Sequence, residues 1–314
     1  ESNLAARYNI STDELNKILA EAKAHLLGVR SKRIPPERDQ KIITSWNGFM
    51  IRSFAEAGAT FQNTRYTEAA INNATYLLKT VAQDNNVSRV VTQGLPKGQG
   101  YLEDYAALID GLLAVYQTTL NLDWLVQADS LAQAMIKFFW DPQSNSFYDT
   151  GINHEKLVVR PRDYFDNAVP CGTSLAANVL LRLSAITSKT QYREITTVIL
   201  ERMNTFAADN PFATSNFLRA LDFWLTPPSE IVLVGTTDQL HDSRFLHHFY
   251  KQFTPNIVIA GGDPCHEAFS EFPLLADKVS VQQLATAYVC SNYTCSVPMT
   301  TLEELDNYPL TENN

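Results

Sequence analysis

The sequence predicts a mainly α fold, a partial (α/α) toroid of helical hairpins that has about four inner helices and a small C-terminal βαβ-like appendage. Three observations support this fold class: four segments are apolar on nearly every face, one-sided amphipathic segments separate them, and short β-branched runs follow after residue 225. A helix that is apolar all round has to be covered on every side, whereas an amphipathic helix covers its neighbours and faces water. The apolar segments therefore predict inner helices and the amphipathic segments predict outer ones.

The composition is typical of a folded protein and excludes several classes of function. The chain has 314 residues, of which 45% are hydrophobic and 19% charged, and its formal net charge is −9. An acidic chain has no general attraction to phosphate backbones or anionic lipids, so we expect no nucleic-acid and no membrane partner. Four irregularly spaced cysteines do not form a secreted disulfide framework, which favours a cytoplasmic location.

The first 40 residues predict a capped helix and a connector. Ser11 or the residue after it can cap a helix that ends at Gly28. The basic stretch that follows contains two adjacent prolines, which keep it out of a helix. Because the chain begins with Glu1 and no leader follows, we expect a processed product or a fragment of something longer.

Inner and outer helices then alternate along the chain. The segments that predict inner helices cover residues 44–58, 100–115, 171–183 and 213–224. The segments that predict outer helices cover residues 66–81, 124–139 and 192–207. Tandem helical hairpins stack into solenoids or close into toroids, and the long, variable spacing of the inner helices favours a toroid. Strict alternation makes the inner helices parallel, so we expect their N-termini to open on one face that holds the pocket.

Residues 1–228 are predicted to form the helical-hairpin portion, and residues 229–314 a small α/β appendage packed on it. Short β-branched runs cover residues 231–234, 256–260 and 285–289, with a helical stretch at residues 238–252 between the first two. This order predicts a βαβ-like unit. No GxGxxG or GxxxxGK[ST] motif follows a strand, so we predict no nucleotide and no other cofactor.

The cysteines of the appendage leave two alternatives open. Cys265 and His266, together with Cys290 and Cys295, offer four side chains of the kind that bind zinc. Their spacing is not the usual CxxC, and we predict no metal site. The state of the Cys290 and Cys295 pair is left open by the sequence.

Polar side chains collect at the predicted N-termini of the inner helices. Helix N-termini present unpaired N–H groups and a partial positive charge, which suit hydroxyl-rich or anionic ligands. A sugar site needs carboxylates and amides for the hydroxyl groups and flat rings for the C–H faces. We predict substrate-binding roles for the residues of this rim: Trp46, Asn47, Tyr101, Glu103, Tyr105, Asp166, Thr173 and Ser174.

Asp104 and Asp163 are the predicted catalytic acid and base. Glycoside hydrolysis uses two carboxyl groups roughly 5 to 9.5 Å apart across the sugar, and these two qualify by their position alone. Adjacent helical residues point about 100° apart, so we expect only one of Glu103 and Asp104 to face the cavity. Capping or turn roles for the carboxylates of the rim stay open.

Other polar residues lie in or beside apolar helices. Asp110 and Asn178 favour buried hydrogen bonds to a neighbouring helix. Arg160, Arg162 and Arg182 suit a carboxylate or phosphate ligand, or equally an ion pair with the nearby aspartates, which is the interpretation we favour.

Four sequence blocks resemble the spermatogenesis-associated protein 20 family. They read DQKIITSWNGFMI at residues 39–51, GYLEDYA at 100–106, RPRDYFDNAVPCGTS at 160–174 and AYVCSNYTCSVP at 287–298. Their shared order across nearly the whole chain makes the resemblance specific. It implies an (α/α)6 toroid of the six-hairpin glycosidase type, similar to N-acylglucosamine 2-epimerases. In the full-length family, this toroid follows a thioredoxin-like domain.

This sequence departs from the family pattern. The thioredoxin-like domain and the first part of the toroid are missing, which leaves four inner helices in place of six and implies a C-terminal fragment or a truncated homologue. Smaller departures are Gln40, Glu103, Cys171 and Thr173, all of them polar or small.

The predicted function is a carbohydrate-active or sugar-binding protein. If it is an enzyme, the expected chemistry is that of a sugar epimerase, an isomerase or a glycoside hydrolase, and the expected partner is a small sugar or sugar-like ligand. The alternative is a non-catalytic scaffold that partners a thioredoxin-like redox domain. An incomplete toroid exposes apolar inner helices, so self-association is a further expectation.

Overall fold

The structure, a computed structural model, describes residues 1–156, 158–226, 228–241, 243–291 and 294–308. The chain divides into two compact units, Glu1–Gln40 and Lys41–Asn314. The predicted boundary between residues 228 and 229 lies within the second unit and stays a prediction.

The first unit contains helices α1 (Ser2–Tyr8) and α2 (Thr12–Arg30). Ser11 caps α2 as predicted, because its side chain accepts a hydrogen bond from the backbone N–H of Glu14 at 3.1 Å. The helix continues past Gly28 to Arg30, so the predicted end is two residues early.

The helices of the second unit form hairpins of one inner and one outer helix. The inner helices are α3 (Thr44–Phe61), α5 (Leu102–Thr119), α7 (Gly172–Thr187) and α9 (Ser215–Leu225). The outer helices are α4 (Thr64–Thr80), α6 (Leu122–Phe139) and α8 (Thr190–Asp209). The inner helices pack side by side in chain order, and each outer helix packs on the inner helix before it. These helices confirm the predicted fold class, a partial (α/α) toroid.

Two glycines allow the closest approach between inner helices, that of α3 and α5. A Cβ atom on Gly48 would lie 2.4 Å from the carbonyl oxygen of Ala107, and one on Gly111 would lie 2.8 Å from the carbonyl oxygen of Gly48. Side chains cannot occupy such short distances, so the contact requires glycine at both positions.

The N-termini of the inner helices lie on one face, as the alternation predicts. The backbone N–H of Ser45 in α3 donates to Asp104 Oδ1 in α5 at 3.1 Å. The first residue of α7 lies against the first turn of α5. Asn216 Nδ2 in α9 donates to Ser174 Oγ in α7 at 2.9 Å. Adjacent inner helices therefore meet at their starting turns.

Short antiparallel strands, which we did not predict, lead into the inner helices. One sheet consists of β1 (Ile42–Ile43), β2 (Ala82–Gln83), β3 (Asn86–Thr92) and β4 (Leu95–Gln99), with β3 pairing to the other three. A second sheet pairs β5 (Trp140–Asp141) with β6 (Ser146–Phe147). Both sheets contain chain segments that connect an outer helix to the next inner helix.

The C-terminal part contains a four-stranded sheet in the order β10-β9-β7-β8. The strands are β7 (Ser229–Val234), β8 (Ile257–Gly262), β9 (Thr286–Ser291) and β10 (Thr294–Cys295). Strands β7 and β8 are parallel, which confirms the βαβ-like unit. Helices α10 (Thr237–His241) and α11 (Arg244–Tyr250) connect them, and α12 (Pro273–Ala276) and α13 (Leu302–Asp306) follow later.

The sheet packs on the C-terminal ends of the inner helices. Tyr116 near the end of α5 donates its hydroxyl to the carbonyl oxygen of Gly261 at 2.9 Å. Cys290 and Cys295 form a disulfide, which answers the question that their sequence left open. No helix within the described ranges is both long and apolar enough to span a bilayer.

Candidate functional site

A cavity of about 260 Å³ opens where the N-termini of α5 and α7 meet. Its wall combines the first residues of these helices with the loop that precedes α7. The lining residues are Tyr101, Glu103, Asp149, Asp163, Phe165, Asn167, Val169, Pro170, Cys171 and Gly172. The cavity thus brings three carboxyl groups and two aromatic rings together. This cavity is the candidate site.

Asp149 is a partly buried carboxyl group of the cavity. Burial raises its pKa to about 6, and the negative charges of Asp163 and Glu103 add to this rise, while a hydrogen bond with the Asp163 backbone opposes it. Its own backbone is fixed, because its N–H donates to Pro161 O and its carbonyl oxygen accepts from the N–H of Leu102, both at 3.0 Å. A carboxyl group with a pKa near neutrality can donate or accept a proton at physiological pH.

Sequence reasoning missed Asp149 because it lies in a loop. Asp149 is followed by Thr150 and Gly151, and an aspartate close to a glycine is typical of a turn. The local signal therefore indicated only a turn. The hydrogen bond to the start of α5 joins residues far apart in the chain, and no local pattern predicts it.

Arg89 in β3 holds the two neighbouring carboxylates at the start of α5. Its Nη1 donates to Glu103 Oε1 and to both carboxylate oxygens of Asp104, the latter at 3.0 Å. Asp104 also accepts the backbone N–H groups of Tyr101, at 2.9 Å, and Ser45. It is fully buried and does not line the cavity, whereas Glu103 does. The placement of Asp104 therefore favours a capping and anchoring role over the predicted catalytic one.

Asp163 and Asp166 occupy different environments in the loop before α7. Asp163 is exposed at the cavity, and its Oδ1 accepts the N–H of Phe165 at 2.9 Å. Asp166 is buried, with Oδ1 accepting the hydroxyl of Ser174 at 2.6 Å and Oδ2 accepting the N–H of Asn216 at 2.8 Å. Asp166 and Ser174 thus connect the loop to α7 and α9 and do not line the cavity.

The other predicted rim residues of α5 and α7 divide between the cavity and the interior. Tyr101 lines the cavity, with the Arg89 guanidinium 5.2 Å from its ring centre. Tyr105 is buried, and its hydroxyl accepts the N–H of Val87 at 3.0 Å. Thr173 is also buried, and its Oγ1 has no hydrogen-bond partner among the described residues. Tyr101 is therefore the residue of this group that can touch a ligand in the cavity.

Trp46 and Asn47 lie in the first turn of α3 and do not line the cavity. The side chain of Trp46 is exposed. Asn47 donates to the carbonyl oxygen of Ile43 at 2.9 Å and accepts a hydrogen bond from Asn73 in α4 at 3.1 Å. Their predicted roles in substrate binding stay predictions.

Two arginines fix the loop before α7. The guanidinium carbons of Arg160 and Arg162 lie 3.9 and 3.8 Å from the ring centre of Tyr148. Arg160 also donates to the carbonyl oxygen of Thr150, and Arg162 forms an ion pair with Asp141 at 3.3 Å. The pairing we favoured, with the aspartates that follow in the sequence, is not made. These contacts instead hold the segment that carries Asp163 and Phe165.

Comparison with solved structures finds proteins named as cellobiose 2-epimerases and as an α-mannanase. The match to a cellobiose 2-epimerase from Spirochaeta thermophila has a TM-score of 0.45 and 16% identity, and covers 54% of this chain and 45% of that chain. The match to a GH76 α-mannanase of Bacteroides thetaiotaomicron has a TM-score of 0.49 and 13% identity, and covers 68% and 57%.

Comparison with curated sequences finds relatives along most of the chain, although no protein-family model matches it. The chain is 28% identical to spermatogenesis-associated protein 20 of Homo sapiens and 27% identical to that of Mus musculus, each over 309 residues and 94% of the chain. It is 28% identical over 327 residues to an uncharacterized protein of Caenorhabditis elegans. The chain spans 39% of the length of the human protein. These relatives confirm the resemblance to spermatogenesis-associated protein 20 that the four sequence blocks indicate.

Proposed function

We propose that the cavity at the starts of α5 and α7 binds a sugar or sugar-like ligand and carries out acid–base chemistry on it. The supporting observation is the convergence of Glu103, Asp149 and Asp163 with the rings of Tyr101 and Phe165 on one cavity. Carboxylates accept hydrogen bonds from sugar hydroxyls, and aromatic rings pack on the apolar face of a pyranose. The reaction class would be proton transfer at a sugar carbon or at a glycosidic oxygen.

The three carboxyl groups have different proposed roles. Asp149 is the proton donor, because its pKa of about 6 keeps part of the population protonated near neutral pH. Asp163, exposed at the cavity, is the base. Glu103 accepts ligand hydroxyls while Arg89 holds it in place. Asp104 contributes by fixing Arg89 and is a positioning residue.

Cys171 lines the same cavity without acting as a nucleophile. Burial raises the pKa of its thiol to about 12, so the sulfur stays protonated at neutral pH. Its Sγ accepts the backbone N–H of Ser174 at 3.4 Å and thereby caps α7. This residue therefore has a structural part in the cavity wall.

The alternative scaffold function has no support among the described residues. It stays a prediction, as do self-association and a cytoplasmic location.

Titration of the full chain with mono- and disaccharides tests the proposed function. We expect at least one sugar to bind in calorimetry, and Tyr101→Ala to weaken this binding tenfold or more because it removes the stacking ring. Asp209→Asn is a matched control on the exposed end of α8 and is expected to leave the affinity unchanged. Catalysis is followed by NMR, as deuterium incorporation from D₂O at a sugar carbon or as glycoside cleavage, and Asp149→Asn is expected to abolish it. Absence of binding by every sugar tested would refute the proposal.

The pH dependence of stability tests the state of Asp149. Its pKa rises from 3.8 to about 6 on folding, so the folded state favours the protonated carboxyl group, and stability is lost as the pH rises through this range. Asp149→Asn removes this loss. We expect its free energy of unfolding at pH 7.5 to exceed that of the wild type by about 1 to 3 kcal/mol, with no difference near pH 4. Urea unfolding across this pH range measures it, and an equal difference at both pH values would contradict the assignment.

A further inference from the structure

A second cavity, of about 460 Å³, is lined by residues of all four inner helices and of α11. It shares no lining residue with the candidate site. Three arginines on three inner helices contribute to its wall: Arg52 of α3, Arg182 of α7 and Arg219 of α9. Helix α11 and the segment that follows it contribute another part of the wall.

Arg52 is neutralised by two carboxylates. Its Nη1 donates to both carboxylate oxygens of Asp110 in α5, at 2.6 and 2.8 Å, and its Nη2 lies 2.9 Å from Glu56 Oε1. Burial alone would raise the pKa of Asp110, but the Arg52 guanidinium holds it below its ordinary value. The pair is therefore ionised, and Asp110 makes the predicted buried bond to a neighbouring helix.

Arg182 and Arg219 have no carboxylate partner among the described residues. Arg219 Nε donates to the amide oxygen of Asn178 at 3.2 Å. Arg182 contacts the ring of Phe223, with 5.5 Å between the guanidinium carbon and the ring centre, and it donates no hydrogen bond to any described residue. Burial lowers its pKa to about 10, and the positive charge of Arg52 contributes. The side chain is half-buried at the cavity, and its five N–H donors are not used by the described residues, so they are available to an acceptor that binds there.

The remaining carboxylate of this cavity does not supply that acceptor. Asp222 is exposed, and its Oδ2 accepts a hydrogen bond from Asn256 Nδ2 at 3.2 Å. No ion pair within the described part of the chain joins it to Arg182 or Arg219. Arg182 and Arg219 are thus without a direct ion pair, although the negative charges of Asp110 and Glu56 act on both at longer range.

We propose that Arg182 and Arg219 bind the carboxylate or phosphate group of a small organic anion in this cavity. Guanidinium groups form paired N–H···O bonds to the oxygens of either group, and these charge-assisted bonds are among the strongest in proteins. The volume falls within the range of small-molecule sites. Arg52 stays paired with Asp110 and Glu56 and is not counted among the ligand-binding groups. The site is independent of the proposed sugar site.

Calorimetric titration of the full chain with inorganic phosphate and with citrate tests this site. We expect at least one of them to bind, with an affinity that falls as sodium chloride is added. Arg182→Gln is expected to weaken binding tenfold or more, because it removes charge-assisted bonds. Arg65→Gln, which removes an exposed arginine of α4, is the matched control and is expected to leave binding unchanged. Tighter binding of phosphate assigns a phosphorylated ligand, and tighter binding of citrate assigns a carboxylate.

Thermal unfolding without added anion separates ligand binding from a structural role. Arg182→Met removes a cation that forms no ion pair with the described residues, so we expect its Tm in anion-free buffer to stay close to that of the wild type and no longer to respond to the anion. A purely structural arginine would give a lower Tm on the same change. The proposal is overturned if the wild type binds neither anion, if Arg182→Gln binds as the wild type does, or if Arg182→Met melts at a lower temperature.

Discussion

Replacing Asp110 by alanine is expected to lower the free energy of unfolding by about 3 to 5 kcal/mol, the range found when one partner of a buried ion pair is removed. Asp110 is 4% exposed and binds Arg52 through both carboxylate oxygens. Its loss leaves three arginines facing one cavity, where Glu56 is the carboxylate that still pairs with Arg52. Urea unfolding at pH 7 measures the change.

Two further variants establish the cause. Asp209→Ala removes an exposed carboxylate of α8 and is expected to change stability by less than about 0.5 kcal/mol. The double variant Arg52→Met with Asp110→Leu removes both charges and is expected to recover a large part of the loss. Should Asp110→Ala cost less than about 1 kcal/mol, the pair would not hold α3 to α5 as described.

Replacing Gly48 by alanine is expected to cost about 2 to 4 kcal/mol. The new Cβ would lie 2.4 Å from the carbonyl oxygen of Ala107 and 2.8 Å from the backbone nitrogen of Leu108. Backbone atoms cannot rotate away, so α3 and α5 have to separate. The separation also strains the hydrogen bond between Ser45 and Asp104, which lies one turn earlier. Thermal and urea unfolding both report this loss.

Gly28→Ala is the matched control for this change. Gly28 lies in α2, and a Cβ atom there would meet nothing within 4 Å. Alanine has the higher helix propensity, so we expect a gain of about 0.5 to 1 kcal/mol. A similar gain for Gly48→Ala would show that the two inner helices are not in close contact.

The helical hairpins could be predicted because their signal is local. In α5, apolar residues occupy every face, and nearly the whole helix is buried. The small antiparallel sheets gave no such signal. Strand β3 carries Asn86, Ser88 and Arg89, and its pairing with β1 joins segments that are far apart in the sequence. Such pairing depends on where the helices place the segments.

Sequence analysis found the parts of the candidate site at the helix starts, and Asp163 in the loop before α7. Tyr101 and Glu103 were found because they begin an apolar helix. Helix geometry correctly indicated that only one of Glu103 and Asp104 faces the cavity. The side chain of Asp104 instead accepts the N–H of Tyr101 and completes the cap of α5. Asp149 could not be found in this way, because its position depends on tertiary contacts of a loop.

The loop before α7 forms part of the cavity wall, and its cavity-lining residues are not part of the packing that stabilises the helices. Its anchors are Asp166 and the arginines stacked on Tyr148, whereas Phe165, Asn167 and Val169 point their exposed surface at the cavity. Loop residues of this kind tolerate substitution better than core residues. Under the proposed function, substitutions at these three positions are therefore expected to alter ligand preference while the helical frame stays constant, and a library randomised there is the natural starting point for engineering a new specificity.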